Sequence, residues 1–101
     1  MTVLMTLRVA ADAQKLTAYA KANQDELLAI IEKAKSHGVI SHRFYGSADE
    51  VLVVDEWPDE ASFHAFFGES PEIQNMLAAS EARSEPVVTF WTKLDLSLIH
   101  I

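Results

Sequence analysis

The chain contains no cysteine, and that one absence removes disulfides, thiolate metal ligands, iron–sulfur clusters and cysteine nucleophiles together. Proline and glycine are scarce, at three residues each, and no stretch is low in complexity, so a chain folded almost end to end is expected in place of linkers or disorder. Positive charge is also short: eight lysines and arginines stand against fifteen aspartates and glutamates, a formal charge of -7 that repels phosphate backbones and anionic lipid. Nucleic acid and membrane surfaces are therefore set aside as partners. No apolar run approaches the ~18 residues of a membrane helix. Met1-Thr2-Val3-Leu4-Met5 has neither a basic lead nor a sustained apolar stretch, which leaves a soluble cytoplasmic protein as the expectation. There is no phosphate-binding glycine loop, dinucleotide fingerprint or serine nucleophile elbow. His37, His42, His64 and His100 show no helical two-ligand spacing, so no metal site is expected either.

What is present suits one small core. Half of the 101 residues are hydrophobic, a length and composition that fit a single domain over residues 1–101. From Val3 to Val9 the residues Val3, Met5, Leu7 and Val9 share one face and Leu4, Thr6 and Arg8 the other, the period of a strand. Asp12 is a candidate N-cap, and Leu16, Tyr19, Ala20, Asn23, Leu27, Ile30, Ile31 and Ala34 recur at steps of three and four, predicting one long helix with an asparagine in its buried stripe. Gly38 supplies its left-handed end. Val39–Tyr45 and Val51–Trp57 alternate on either side of the polar turn Gly46-Ser47-Ala48-Asp49, and so short a connection predicts an antiparallel hairpin.

After Pro58-Asp59-Glu60, the residues Ala61, Phe63, Phe66 and Phe67 predict a short helix with an aromatic face. Ser70-Pro71-Glu72 restarts a second one through Ile73, Met76, Leu77 and Ala78, with Ser70 as N-cap. Pro86–Leu96 alternates as a last strand, long enough to reach past one subunit. The order is that of the α+β, ferredoxin-like βαββαβ unit, a four-stranded antiparallel sheet with helices on one face. The uncovered face also carries large apolar side chains, and a second copy of the same sheet is its simplest cover, so a homodimer is expected.

The segment Val51-Leu52-Val53-Val54-Asp55-Glu56-Trp57-Pro58-Asp59-Glu60-Ala61-Ser62-Phe63-His64-Ala65-Phe66-Phe67, followed by Ser70-Pro71, resembles the middle of the antibiotic biosynthesis monooxygenase family. The resemblance implies a dimeric α+β barrel with a small-molecule cavity in each subunit between helices and sheet. It also implies a cofactor-independent oxygenase acting on aromatic or quinonoid compounds. Haem degradation, found in one branch, is disfavoured: that branch's strand-one asparagine is missing, its tryptophan position falls on Phe66 and its histidine position near Met76.

Oxygenation without a cofactor needs a base or polar donor beside the substrate and walls that exclude water. His42, between apolar neighbours mid-strand, and Asn23, in an apolar helix stripe, are the catalytic candidates; Tyr45, Trp57, His64, Phe66 and Trp91 are candidates for substrate contact. Each also has a structural reading. His42 then bonds a backbone carbonyl or the partner, Asn23 is a paired buried amide, His64 flanks the phenylalanine face, and the tryptophans pack core or interface. Asp55 and Glu56 point to opposite faces, and Arg8, Arg43 and Lys93 are available to pair with the buried one. Beside the oxygenase stand two other readings: a non-catalytic dimeric module that senses a metabolite in the same cavity, and isomerase or lyase chemistry from a single base. The apolar tail Ser97-Leu98-Ile99-His100-Ile101 extends the last strand or is foreign to the domain.

Overall fold

The computed structural model describes residues 2–96. Eight elements follow in order: β1 (Val3–Ala10), α1 (Ala13–Ala22), α2 (Gln24–Ser36), β2 (Ser41–Gly46), β3 (Glu50–Trp57), α3 (Glu60–Gly68), α4 (Pro71–Ala79) and β4 (Val87–Trp91). The strands form one antiparallel sheet in the order β2-β3-β1-β4, which is the expected ferredoxin-like α+β layout. Among the described residues the sheet does not close on itself. On β1 the alternation settles the facing: Met5, Leu7 and Val9 are buried under the helices, while Arg8 and Leu4 are exposed on the far side. The core gathers around them with Val51 and Trp57 of β3, Ile30 and Ala34 of α2, Phe63 and Phe66 of α3, and Met76 of α4.

The expected single long helix is two. Asn23 adopts φ -128 and ψ 52, leaving the helical region, and both its backbone N–H and its side-chain amide donate to the Tyr19 carbonyl at 2.9 Å. Asparagine competes for backbone acceptors in just this way, so the residue that looked like part of a continuous stripe caps α1 and opens α2 instead. The other helix ends follow expectation more closely. The Asp12 carboxylate accepts from the N–H groups of Gln14 and Lys15 at 2.9 and 3.1 Å, and Gly38 takes φ +91 after α2. Pro71 opens α4 as expected, but the Ser70 hydroxyl is turned back to donate to the Phe66 carbonyl at 2.7 Å and does not cap that helix.

Two strand boundaries differ from the sequence pattern by more than one residue. β2 begins at Ser41, although the Ile40 N–H still donates to the Glu56 carbonyl at 2.8 Å. β4 ends at Trp91, short of the expected Leu96, because its partner runs out: Trp91 already faces Leu4, near the start of β1. Beyond it Leu94 and Leu96 are exposed, and the expectation for the tail 97–101 lies outside the described residues.

The far face of the sheet is open in the single chain. Leu4, Tyr45, Val87 and Trp91 are exposed there. Between them Arg8 pairs with Glu50 at 2.6 Å, and the Trp91 indole donates to the Thr6 hydroxyl at 2.9 Å.

Candidate functional site

A cavity of about 70 Å³ lies between the helical layer and the inner face of the sheet. Its walls are almost wholly apolar: Met5, Leu7 and Val9 from β1, Phe63 and Phe66 from α3, and Met76 from α4 are among them. Against these walls stand the side chains of His42, Asp55 and Ser80. Ser80 is satisfied locally, its hydroxyl donating to the Leu77 carbonyl at 2.8 Å. The chemistry therefore rests on His42 and Asp55.

The hairpin register makes that pair. β2 and β3 align so that His42 faces Asp55 directly, both on the cavity side. The imidazole Nδ1 is hydrogen-bonded to Asp55 Oδ1. The second carboxylate oxygen, Oδ2, accepts from the Trp57 indole N–H at 3.2 Å. Asp55 is 2% exposed, so both of its oxygens are held by donors and none is left to water. In a neutral imidazole, a carboxylate accepting at Nδ1 fixes the proton on that nitrogen and leaves Nε2 as a lone-pair acceptor. Nε2 is buried and has no hydrogen-bond partner. Leaving such a group unsatisfied costs ~1–3 kcal/mol, a penalty a ligand hydroxyl at that nitrogen would remove.

The rest of the dyad's surroundings hold it in place. Phe44 meets the His42 ring edge-on at 4.5 Å between centroids. Trp57, fully buried, lies 5.8 Å from Phe63 and 5.3 Å from Phe66, so the indole that clamps Asp55 is itself locked in an aromatic cluster. On the helical side Lys33 of α2 binds Glu72 of α4 at 3.0 Å and the Glu69 carbonyl at 2.8 Å. The backbone N–H of Glu72 and the Lys33 ammonium hold the Glu72 carboxyl below the usual range, and the bridge joins two helices that wall the cavity.

Of the residues expected from sequence, His42 and Phe66 line the cavity. Trp57 acts on it through Asp55. His64 is exposed on α3 with its ring against Phe63 and Phe90, the flanking position of its structural reading. Tyr45 and Trp91 lie on the opposite face of the sheet, and Asn23 sits at the α1–α2 junction, outside the cavity. One of Asp55 and Glu56 was expected to sit with a lysine or arginine; Asp55 is the one on the helix side, and its partners are His42 and Trp57. Sequence reasoning overlooked that pairing, and Phe44, although a two-residue turn at Ala48-Asp49 would have set His42 opposite Asp55. Among the described residues no group of three histidine, cysteine or acidic side chains is placed to hold a metal ion. Also among them, no helix is long and apolar enough to cross a membrane.

Neither a family model nor a curated protein sequence matches the chain. Solved structures do. The monooxygenase from the ActVA-Orf6 gene of Streptomyces coelicolor, solved with the ligand nanaomycin D, superposes with a TM-score of 0.65 and 20% identity over 91% of this chain and 87% of that one. SnoaB, a cofactor-independent oxygenase from Streptomyces nogalater, gives 0.61 and 10% over 93% and 94%. Rv0793 from Mycobacterium tuberculosis gives 0.60 and 19% over 94% and 97%. Further neighbours carry the name antibiotic biosynthesis monooxygenase. The chain thus has the α+β fold of the antibiotic biosynthesis monooxygenases, as the segment from Val51 to Pro71 suggested, and at these identities the likeness is one of fold.

Proposed function

We propose that the protein is a cofactor-independent oxygenase of phenolic aromatic compounds, hydroquinones or anthrones, with His42 as its general base. The observation that carries this reading is the orphaned Nε2 of His42, buried in the wall of an apolar cavity while Asp55 holds the other ring nitrogen. A sensing module would have no need of an unsatisfied base in an apolar site. In the proposed reaction Nε2 takes the substrate's acidic proton, and the resulting anion passes one electron to dioxygen. The substrate radical and superoxide combine at carbon, giving a peroxide. The peroxide takes back the proton held by Nε2 and then loses water, which turns the ring CH₂ of an anthrone into a carbonyl and a ring CH of a hydroquinone into the C–OH of a hydroxyquinone, so one dioxygen is consumed and one water released per substrate. The apolar walls keep bulk water from the radical pair. The names of the structural neighbours ActVA-Orf6 and SnoaB support the same class of chemistry.

The test is oxygen uptake across a panel of anthrones and naphthohydroquinones with the folded protein. Stoichiometric uptake above the uncatalysed rate supports the reading, and no uptake from any member of the panel removes it.

The same reading includes a homodimer built on the far face of the sheet. It is supported by the exposed Leu4, Tyr45, Val87 and Trp91 on that face, and by Leu94 and Leu96 leaving the last strand without a neighbour. Sedimentation at micromolar concentration should give twice the 11.2 kDa chain mass, and Trp91→Glu should shift the species toward monomer; a monomeric wild-type chain would contradict it.

A further inference from the structure

The cavity at His42 is too small for a fused-ring ligand by itself. Its volume of about 70 Å³ falls well below the ~300–1,000 Å³ of ordinary ligand sites. A second space of about 410 Å³ adjoins it on the outside, between β2 and the α1–α2 pair, and falls within that range. The two share three wall residues, Leu16, Phe44 and Met76. Phe44 is the unusual one. Its position on β2 puts it on the inner face of the sheet beside His42, yet it is 46% exposed, because β2 is the edge strand and the helical layer leaves that end uncovered. Its ring thus stands between the outer cleft and the imidazole, against which it packs edge-on.

The outer cleft has two unlike sides. Leu27, Leu28 and Ala20 give an apolar side, and Leu28 is left 56% exposed. Thr17, Lys21 and Gln24 give a polar one. Lys21 enters no ion pair among the described residues, in a chain whose net charge is -7. The cleft thus sets an apolar side against a polar one that carries a cation with no ion-pair partner among the described residues.

We propose that Phe44 is the gate through which an aromatic hydroxy acid reaches His42, with Lys21 of the outer cleft holding the carboxylate at the far end of the ligand. The proposal deepens the oxygenase reading, since it takes His42 as the group that meets the ligand hydroxyl. It is tested by binding, without turnover. Two fluorescent probes share a ring system and differ only at the far end: 2-naphthol and 6-hydroxy-2-naphthoic acid. The wild-type protein should bind the acid about three- to fivefold more tightly than the naphthol, the range open to an exposed ion pair, and added salt should erode that preference. Lys21→Gln should abolish the preference while leaving 2-naphthol binding unchanged; a merely helix-stabilising Lys21 would leave the ratio intact. Phe44→Ala should speed association and dissociation of both probes in stopped-flow mixing by more than it changes Kd. Phe44→Trp, which keeps the strand aromatic, should slow both.

Failure of either probe to bind, a carboxylate preference that survives Lys21→Gln, or Phe44 variants with wild-type rates would each overturn the proposal. The two readings fail separately. Probe binding with this pattern and no oxygen uptake leaves the gate and removes the oxygenase, whereas His42-dependent uptake with inert Lys21 and Phe44 variants does the reverse.

Discussion

Replacing Asp55 by asparagine should turn the proposed base into a donor without emptying its place. Asp55 receives two hydrogen bonds, from His42 Nδ1–H and from the Trp57 indole at 3.2 Å. Asparagine offers one accepting oxygen and one donating NH₂ in the same outline. With the NH₂ toward Trp57, two N–H donors would confront each other in a buried site, costing ~1–3 kcal/mol. With the oxygen toward Trp57, the NH₂ meets Nδ1 instead and is satisfied if the histidine moves its proton to Nε2. At ~1.4 kcal/mol per factor of ten, the second arrangement prevails by roughly five- to a hundredfold. Nε2 then carries a hydrogen and cannot accept one. Turnover should fall by ~10²–10⁴, the range of a lost general base, while the stability cost stays at about 1–2 kcal/mol, since two charge-assisted bonds become neutral ones. Ring-nitrogen NMR of His42 should show the proton on Nδ1 in the wild type and on Nε2 in Asp55→Asn. A variant with wild-type turnover, or with Nδ1 still protonated, would refute the reasoning.

Gly46 lets the end of β2 sit against the start of α1: a Cβ built there would lie 2.6 Å from the Ala13 Cβ. Gly46→Ala should therefore cost ~1–3 kcal/mol in chemical denaturation, and an unchanged midpoint would argue against that close approach. Phe63 is 2% exposed and packs on Trp57, Phe66, Phe67 and Phe90; Phe63→Ala should lose ~3–5 kcal/mol, read by the same titration. The Asp59 carboxylate accepts from the Ser62 hydroxyl at 2.7 Å and the Ser62 N–H at 2.8 Å, and these bonds hold it below the usual aspartate range. Its folded-state pKa thus lies under its unfolded one, so its contribution is complete above the ordinary aspartate range and is lost as pH falls through the folded value. Asp59→Asn, which caps without titrating, should give a shallower fall of Tm on acidification; parallel acid limbs would contradict this.

The fold was legible because its signals are local and repeated. Period-two alternation on Val3–Val9 and Val51–Trp57, the Asp12 and Pro71 helix starts and the Gly38 stop each carry their own physical reason, and they agree with one another. Element lengths were less legible. The α1–α2 break at Asn23 turns on one side-chain amide finding the Tyr19 carbonyl, a contact that hydrophobic spacing does not register. The end of β4 depends on where β1 begins, which is a property of pairing and not of the β4 sequence.

The site was half legible for a related reason. His42 was conspicuous as a polar residue in an apolar alternation. Its partner was not, because alternation says only that Asp55 and Glu56 face opposite ways, and it is the hairpin register that places Asp55 opposite His42. Aromatic character alone also failed to sort Tyr45 and Trp91, which strand parity assigns to the far face.

The base is tested most directly by an anaerobic titration of the protein with an anthrone or naphthohydroquinone, at a pH where the free compound is neutral. Without dioxygen the reaction stops after proton transfer, and the absorption spectrum reports the ionisation state of the bound ligand. The wild-type protein should show the red-shifted band of the anion, and His42→Gln should bind the same compound with the spectrum of its neutral form. A neutral spectrum in the wild type, or an anion band that persists without His42, would contradict the assignment of His42 as the base.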